Sequence, residues 1–147
     1  MRSKMTFIML LTIDEVRSKG RLVADNELYR VHDYDLDDLT VSLTELKKGQ
    51  GTRGHAHNSN AEVYFFPGGK AEMEIGDEKV DIDEGVVLIP KGEFHRVLNL
   101  SDDSELKFIS VFQGKRENSN ARYAQRVKTS KAGRDSSLGD SGTSDTT

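Results

Sequence analysis

Short runs of apolar residues, broken by Gly, Asp, Asn, Ser and Pro, fill the middle of the chain from residue 28 to 113. They read LYRVHDYDL, LTVSLTELKKG, AEVYFF, KAEMEIGDEKVDID, GVVLIP, HRVLNL and LKFISVFQ. Branched and aromatic side chains dominate them, and a period near two with that composition predicts β-strands. Gly76-Asp77-Glu78, between AEMEI and KVDID, reads as a tight hairpin turn. Strands this short and evenly spaced, with no long helical pattern between them, predict an all-β barrel or sandwich rather than a parallel sheet. Ahead of them, residues 1–27 carry the apolar run TFIMLL and then Asp14 and Glu15, a first strand or strand-to-short-helix segment.

Composition places one domain in the chain of 147 residues, long enough to bury a core. With no cysteine there is no disulfide framework, thiolate metal site or cysteine nucleophile. The N-terminal apolar run follows two basic residues but lacks a small-residue cleavage site, and it is too short to span a bilayer. A cytoplasmic protein without membrane contact is expected. Charge divides the chain in two. Residues 1–114 hold 14 Lys and Arg against 21 Asp and Glu, a net of −7, whereas residues 115–147 hold 7 against 4, a net of +3. An acidic body argues against nucleic acid as a partner. The tail has few large apolar residues and cannot offset its ordering entropy, so a barrel over 28–114 and a disordered tail over 115–147 are expected. Within that tail, KRENSNARYAQRVK has the makings of one short helix.

The chemistry concentrates in four residues. Of the four histidines, His55, His57 and His95 can join Glu62 in one arrangement. Two residues apart on a strand, His55 and His57 would leave the same face, and Glu62 can return on a neighbouring strand after a turn. Imidazoles with one carboxylate suit one divalent first-row ion (manganese, iron, nickel, cobalt or zinc) with positions left for water or substrate. If Glu62 points inward, Tyr64 and Phe66 follow it, while Val63 and Phe65 point out; His95 likewise brings Val97 and Asn99 inward. The outward Val63 and Phe65, and GVVLIP apolar on both faces, need cover on the outside of the sheet, which predicts a homodimer. Packing by the N-terminal segment is the competing explanation. His32 reads as a satisfied core or surface residue, and Asp33, Asp35, Asp37 and Asp38 as solvated strand ends without the spacing of a calcium loop. Arg53 is the candidate anion contact, with Lys70 and Arg96 read as surface charges.

Two blocks carry a resemblance. GQGTRGHAHNSNAEVYFFPGG places Gly49, His55, His57, Glu62 and Gly69 in one register, and GVVLIPKGEFHRVLN places Gly85, Pro90, Gly92, His95 and Asn99 in another. Together they resemble the two motifs of the cupin superfamily over roughly residues 39–112, with Gly85 one residue nearer to Pro90 than usual. The resemblance implies a double-sheet jelly-roll β-barrel and a metal held by His55, His57, Glu62 and His95. The metal stretch is also similar to that of archaeal cupin-type glucose-6-phosphate isomerases, though with a shorter loop between His57 and Glu62. That similarity implies a sugar or sugar-phosphate isomerase in which Glu62 shuttles a proton and Tyr64 orients a small-molecule substrate. Arg53, Phe66 and Asn99 are the further substrate-binding candidates. An iron-dependent dioxygenase and a non-catalytic small-molecule-binding module stay open beside it.

Overall fold

A computed structural model describes residues 9–56, 60–114 and 116. Its order is α1 (Ile13–Lys19), β1 (Arg21–Asp25), β2 (Tyr29–Leu36), β3 (Leu39–Leu46), β4 (Glu62–Phe66), β5 (Ala71–Ile75), β6 (Glu78–Ile82), β7 (Gly85–Ile89), β8 (His95–Asn99) and β9 (Leu106–Gln113). Six strands form one antiparallel sheet in the order β1-β2-β3-β9-β4-β7, and three form a second, β6-β5-β8. The all-β jelly-roll expectation is met. Among the described residues no helix is long and apolar enough to cross a membrane.

Two tight turns follow from local chemistry. β5 and β6 are joined through Gly76-Asp77, with Gly76 at φ +57, the first-position glycine of a primed hairpin turn. Asp37, at φ +49, does the same between β2 and β3, a conformation that Asp tolerates better than most residues. Between the sheets lies the core: Leu46, Phe66, Met73, Ile89, Val97 and Phe108 are buried together. Phe66 and Phe108 meet with ring centroids 5.2 Å apart, and Tyr64 stacks on Phe108 at the same distance.

The alternation holds at β4, where Glu62, Tyr64 and Phe66 are buried and Val63 and Phe65 exposed. At β8, His95, Val97 and Asn99 are buried. On the outer face of the larger sheet the structure separates two regions. Over β2 and β3 sits α1, capped by Thr12, whose hydroxyl accepts the Glu15 N–H at 3.1 Å. Val16, Leu43 and Glu45 are buried there, and Arg17 forms a forked pair with Glu45 at 2.8 and 2.9 Å. Over β4 and β7 nothing among the described residues provides cover. Val63 faces Leu88 and Phe65 faces Val86 across the strand pair, and these four side chains are 37, 71, 42 and 59% exposed. Helix α1 therefore covers one half of the outer face, and among the described residues the other half has no cover.

His32 is buried and stands outside the His55–Glu62–His95 group, in line with the core reading. In the acidic cluster Asp35, Asp37 and Asp38 are exposed, as expected of solvated strand ends, and Asp33 is the exception. Asp33 is fully buried in an ion pair with Arg116, and Asp35 accepts from Thr40 at 3.1 Å. Arg116 stands beyond the expected boundary at 114 yet packs onto the barrel. Residues 117–147, with the anticipated helix and disordered tail, lie outside the described residues.

Candidate metal centre

His95 opens β8 in the smaller sheet, and Glu62 opens β4 in the larger one. His55 belongs to the connection between β3 and β4, which runs beside β8 as an irregular strand. Asn99 N–H donates to the Gln50 carbonyl, Thr52 N–H to the Val97 carbonyl, and His55 and His95 exchange backbone bonds at 3.1 and 2.9 Å. Gly54 makes that approach possible. Its φ is +82, and a Cβ there would overlap the Phe94 ring, so a side chain would push the His55 backbone away from β8. The His-x-His strand expected from spacing is thus a single bridge at His55. His57 lies outside the described residues.

Three donor atoms converge. His95 Nε2 lies 3.1 Å from His55 Nε2 and 3.2 Å from Glu62 Oε2, and His55 Nε2 lies 3.9 Å from the same oxygen. Atoms bound about 2.1 Å from one ion stand about 3.0 Å apart when cis in an octahedron and about 3.4 Å in a tetrahedron, so the two shorter separations match a shared ion. His55, Glu62 and His95 form the one His and carboxylate group of this kind among the described residues. The second nitrogen of His95 strengthens the reading. Its Nδ1 is 3.0 Å from the Glu93 carbonyl, which can only accept, so the ring proton sits on Nδ1 and the Nε2 lone pair faces the cluster. Two imidazoles and a buried carboxylate aimed at one point bring together electron pairs that a cation would neutralise. The donor set fits a divalent ion.

Tyr64 stands beside it, with its ring 5.5 Å from that of His95 in an edge contact. Burial, and then the neighbouring Glu62 carboxylate, push the phenol well above its ordinary value, so it stays a neutral donor. A cavity of about 120 Å³ opens against the cluster, lined in part by Thr52, Arg53, His55, Glu62, Tyr64 and Arg116. Arg53 is therefore placed where a ligand would lie. Phe66 and Asn99 are not among the lining residues. Phe66 is fully buried in the core. Asn99 spends its amide on backbone, donating to the Leu46, Lys47 and Ser104 carbonyls and accepting from Ser101 N–H at 3.0 Å. Their burial on the inner face was correctly anticipated, but burial there is divided between core, brace and cavity. Arg96 is likewise a brace, its Nε donating to the Thr52 carbonyl at 3.0 Å. Sequence reasoning missed Arg116 because it lies in a polar stretch with no periodicity.

Comparison with known proteins agrees with this fold. Residues 42–112 match the family model described as a cupin domain. No curated protein matches the chain. Among solved structures, KdgF from Halomonas sp. superposes with a TM-score of 0.60 at 15% identity, covering 70% of this chain and 94% of that one. An RmlC-like cupin from Shewanella frigidimarina gives 0.58 at 14%, covering 69 and 89%. The oxalate decarboxylase of Lactobacillus farciminis, in a formate complex, gives 0.60 at 20%; 67% of this chain is covered but only 32% of that enzyme. At these identities the likeness is one of fold.

Proposed function

Residues 42–112 belong to the cupin family, and from that premise we propose a metal-dependent enzyme acting on a small polar molecule, in the manner of a sugar or sugar-phosphate isomerase. One observation carries the reading: His55, Glu62 and His95, drawn from the β3–β4 connection and from one strand of each sheet, bring donor atoms within 3.1–3.9 Å of one another at the wall of a small cavity. These three residues would hold the ion, with His57 as the proposed fourth ligand. The nitrogen and oxygen donors admit manganese, iron, nickel, cobalt or zinc, and the Mn(II) centres of the Bacillus subtilis oxalate decarboxylase, a fold neighbour, support manganese. When bound, such an ion supplies Lewis-acid polarisation of substrate oxygens.

The chain's own groups do the rest. Glu62, whose Oε2 faces both histidines, is the proposed base: in an α-hydroxy carbonyl it takes at Oε1 the C–H proton of the hydroxyl-bearing carbon and returns it to the former carbonyl carbon, while the hydroxyl proton passes to the former carbonyl oxygen. Tyr64, held neutral beside Glu62, would orient the substrate, and its ring with that of Phe108 forms one wall of the cavity. A homodimer through the exposed β4–β7 face is part of the same proposal.

Metal analysis of protein purified without an affinity tag, joined to a sugar-phosphate screen with an oxygen electrode, tests it. Expected are one divalent ion per chain, its loss in His95→Ala and in His57→Ala, and turnover without oxygen uptake. Oxygen consumption with iron would replace the isomerase by a dioxygenase. A ligand that raises the melting temperature but yields no product would replace it by a binding module.

A further inference from the structure

Arg116 follows β9 through Gly114, which turns the chain at φ +83 and donates its N–H to the Asp38 carbonyl. The guanidinium then folds back over the inner face of the larger sheet. Its Nε donates to Asp33 Oδ2 at 2.8 Å and its Nη2 to Ser42 Oγ at 3.4 Å, and it lies 5.1 Å from the centre of the Phe112 ring. The Asp33 side chain is wholly buried, so the strongest of these contacts is shielded from water. Arginine carries five N–H donors in a planar fork. The two hydrogen bonds to Asp33 and Ser42 occupy two of them along one edge. The same side chain lines the cavity that also holds His55 and Glu62.

We propose that Arg116 binds the oxyanion, carboxylate or phosphoryl, of a small hydroxylated substrate whose neighbouring oxygen faces the His55–Glu62–His95 cluster. This rests on the metal-dependent reading above and adds the class of substrate. An arginine already fixed by a buried carboxylate loses little side-chain freedom when a ligand arrives, and its fork matches an oxyanion in two-point geometry. The charges agree. Glu62 and Asp33 are countered by Arg53 and Arg116, so a divalent ion leaves the site net positive and suited to an anion. The cavity, about 120 Å³, limits the ligand to a few heavy atoms inside the barrel.

Calorimetric binding to the manganese-loaded full chain decides the matter. The probes are glycolate, its neutral counterpart glycolamide and inorganic phosphate. The proteins are wild type, Arg116→Gln, and the double variant Asp33→Asn/Arg116→Gln, which leaves no buried carboxylate unpaired. Wild type is expected to bind at least one anion about tenfold more tightly than glycolamide, and glycolate against phosphate tells carboxylate from phosphoryl. Both variants should weaken that anion about tenfold or more, with glycolamide affinity and manganese content unchanged. Unchanged anion affinity in the variants overturns the proposal. So does an equal fall for anion and glycolamide, loss of manganese with Arg116, or a wild type without preference for either anion. A wild type that retains none of manganese, iron, nickel, cobalt or zinc overturns the metal reading instead, and the Arg116 comparison is then decided by the anion and glycolamide affinities of the metal-free protein.

Discussion

A histidine ligand is only as well placed as the group that holds its other nitrogen, and at His95 that group is the Glu93 carbonyl, 3.0 Å from Nδ1. His55 is placed by backbone instead, through its paired bonds to His95 and the open space that Gly54 leaves under Phe94. Gly54→Ala should therefore injure the site from outside it. Strain at φ +82 and the clash with Phe94 should destabilise the fold by about 1–3 kcal/mol in urea unfolding. Displacement of His55 should weaken manganese about tenfold in a metal titration. At this scale the sequence was legible where chemistry and spacing coincide. His55, Glu62 and His95 could be named because histidine is scarce, motif spacing ties His55 to Glu62, and the strand period fixes the faces of Glu62 and His95. Asn99 and Phe66 show the limit, for alternation tells in from out but not core from cavity. Arg116 was beyond reach because a long side chain returning from a polar segment leaves no pattern.

The strands were legible as elements because each carries its own alternation, whereas α1, seven residues long, has too few turns to show a helical period. What fixes α1 is tertiary: Val16 buried against the sheet and the Arg17–Glu45 fork. Arg17 holds the Glu45 carboxyl below its ordinary value, chiefly through that hydrogen-bonded pair. A carboxylate with a lowered folded value adds stability that is present above the unfolded value near 4.5 and disappears as the pH falls through the folded one. Arg17→Ala leaves a buried acid without its partner and should cost about 2 kcal/mol at pH 7, less than a fully buried pair because the arginine end is 29% exposed. The difference between wild type and variant should shrink below pH 4.5. A constant difference across that range would show that α1 is held by its apolar contacts alone.

For the whole molecule, the outer face of the larger sheet is the open question that the sequence posed as two alternatives, a second copy or the N-terminal segment. α1 covers β2 and β3, while Val63, Phe65, Val86 and Leu88 stay in one contiguous exposed block. If a second copy covers that block, Leu88→Lys should raise the dimer dissociation constant about thirtyfold or more by sedimentation, with metal content unchanged. A wild type that sediments as a monomer at micromolar concentration would leave the face without this role.

The donors of the metal cluster do not belong to one layer: two imidazoles ride on the three-stranded sheet and the carboxylate on the six-stranded one. An ion held by all three is a rivet between the halves of the barrel. Its escape is then tied to how often those halves part, so dilution of free metal and loosening of the fold become one event seen from two sides.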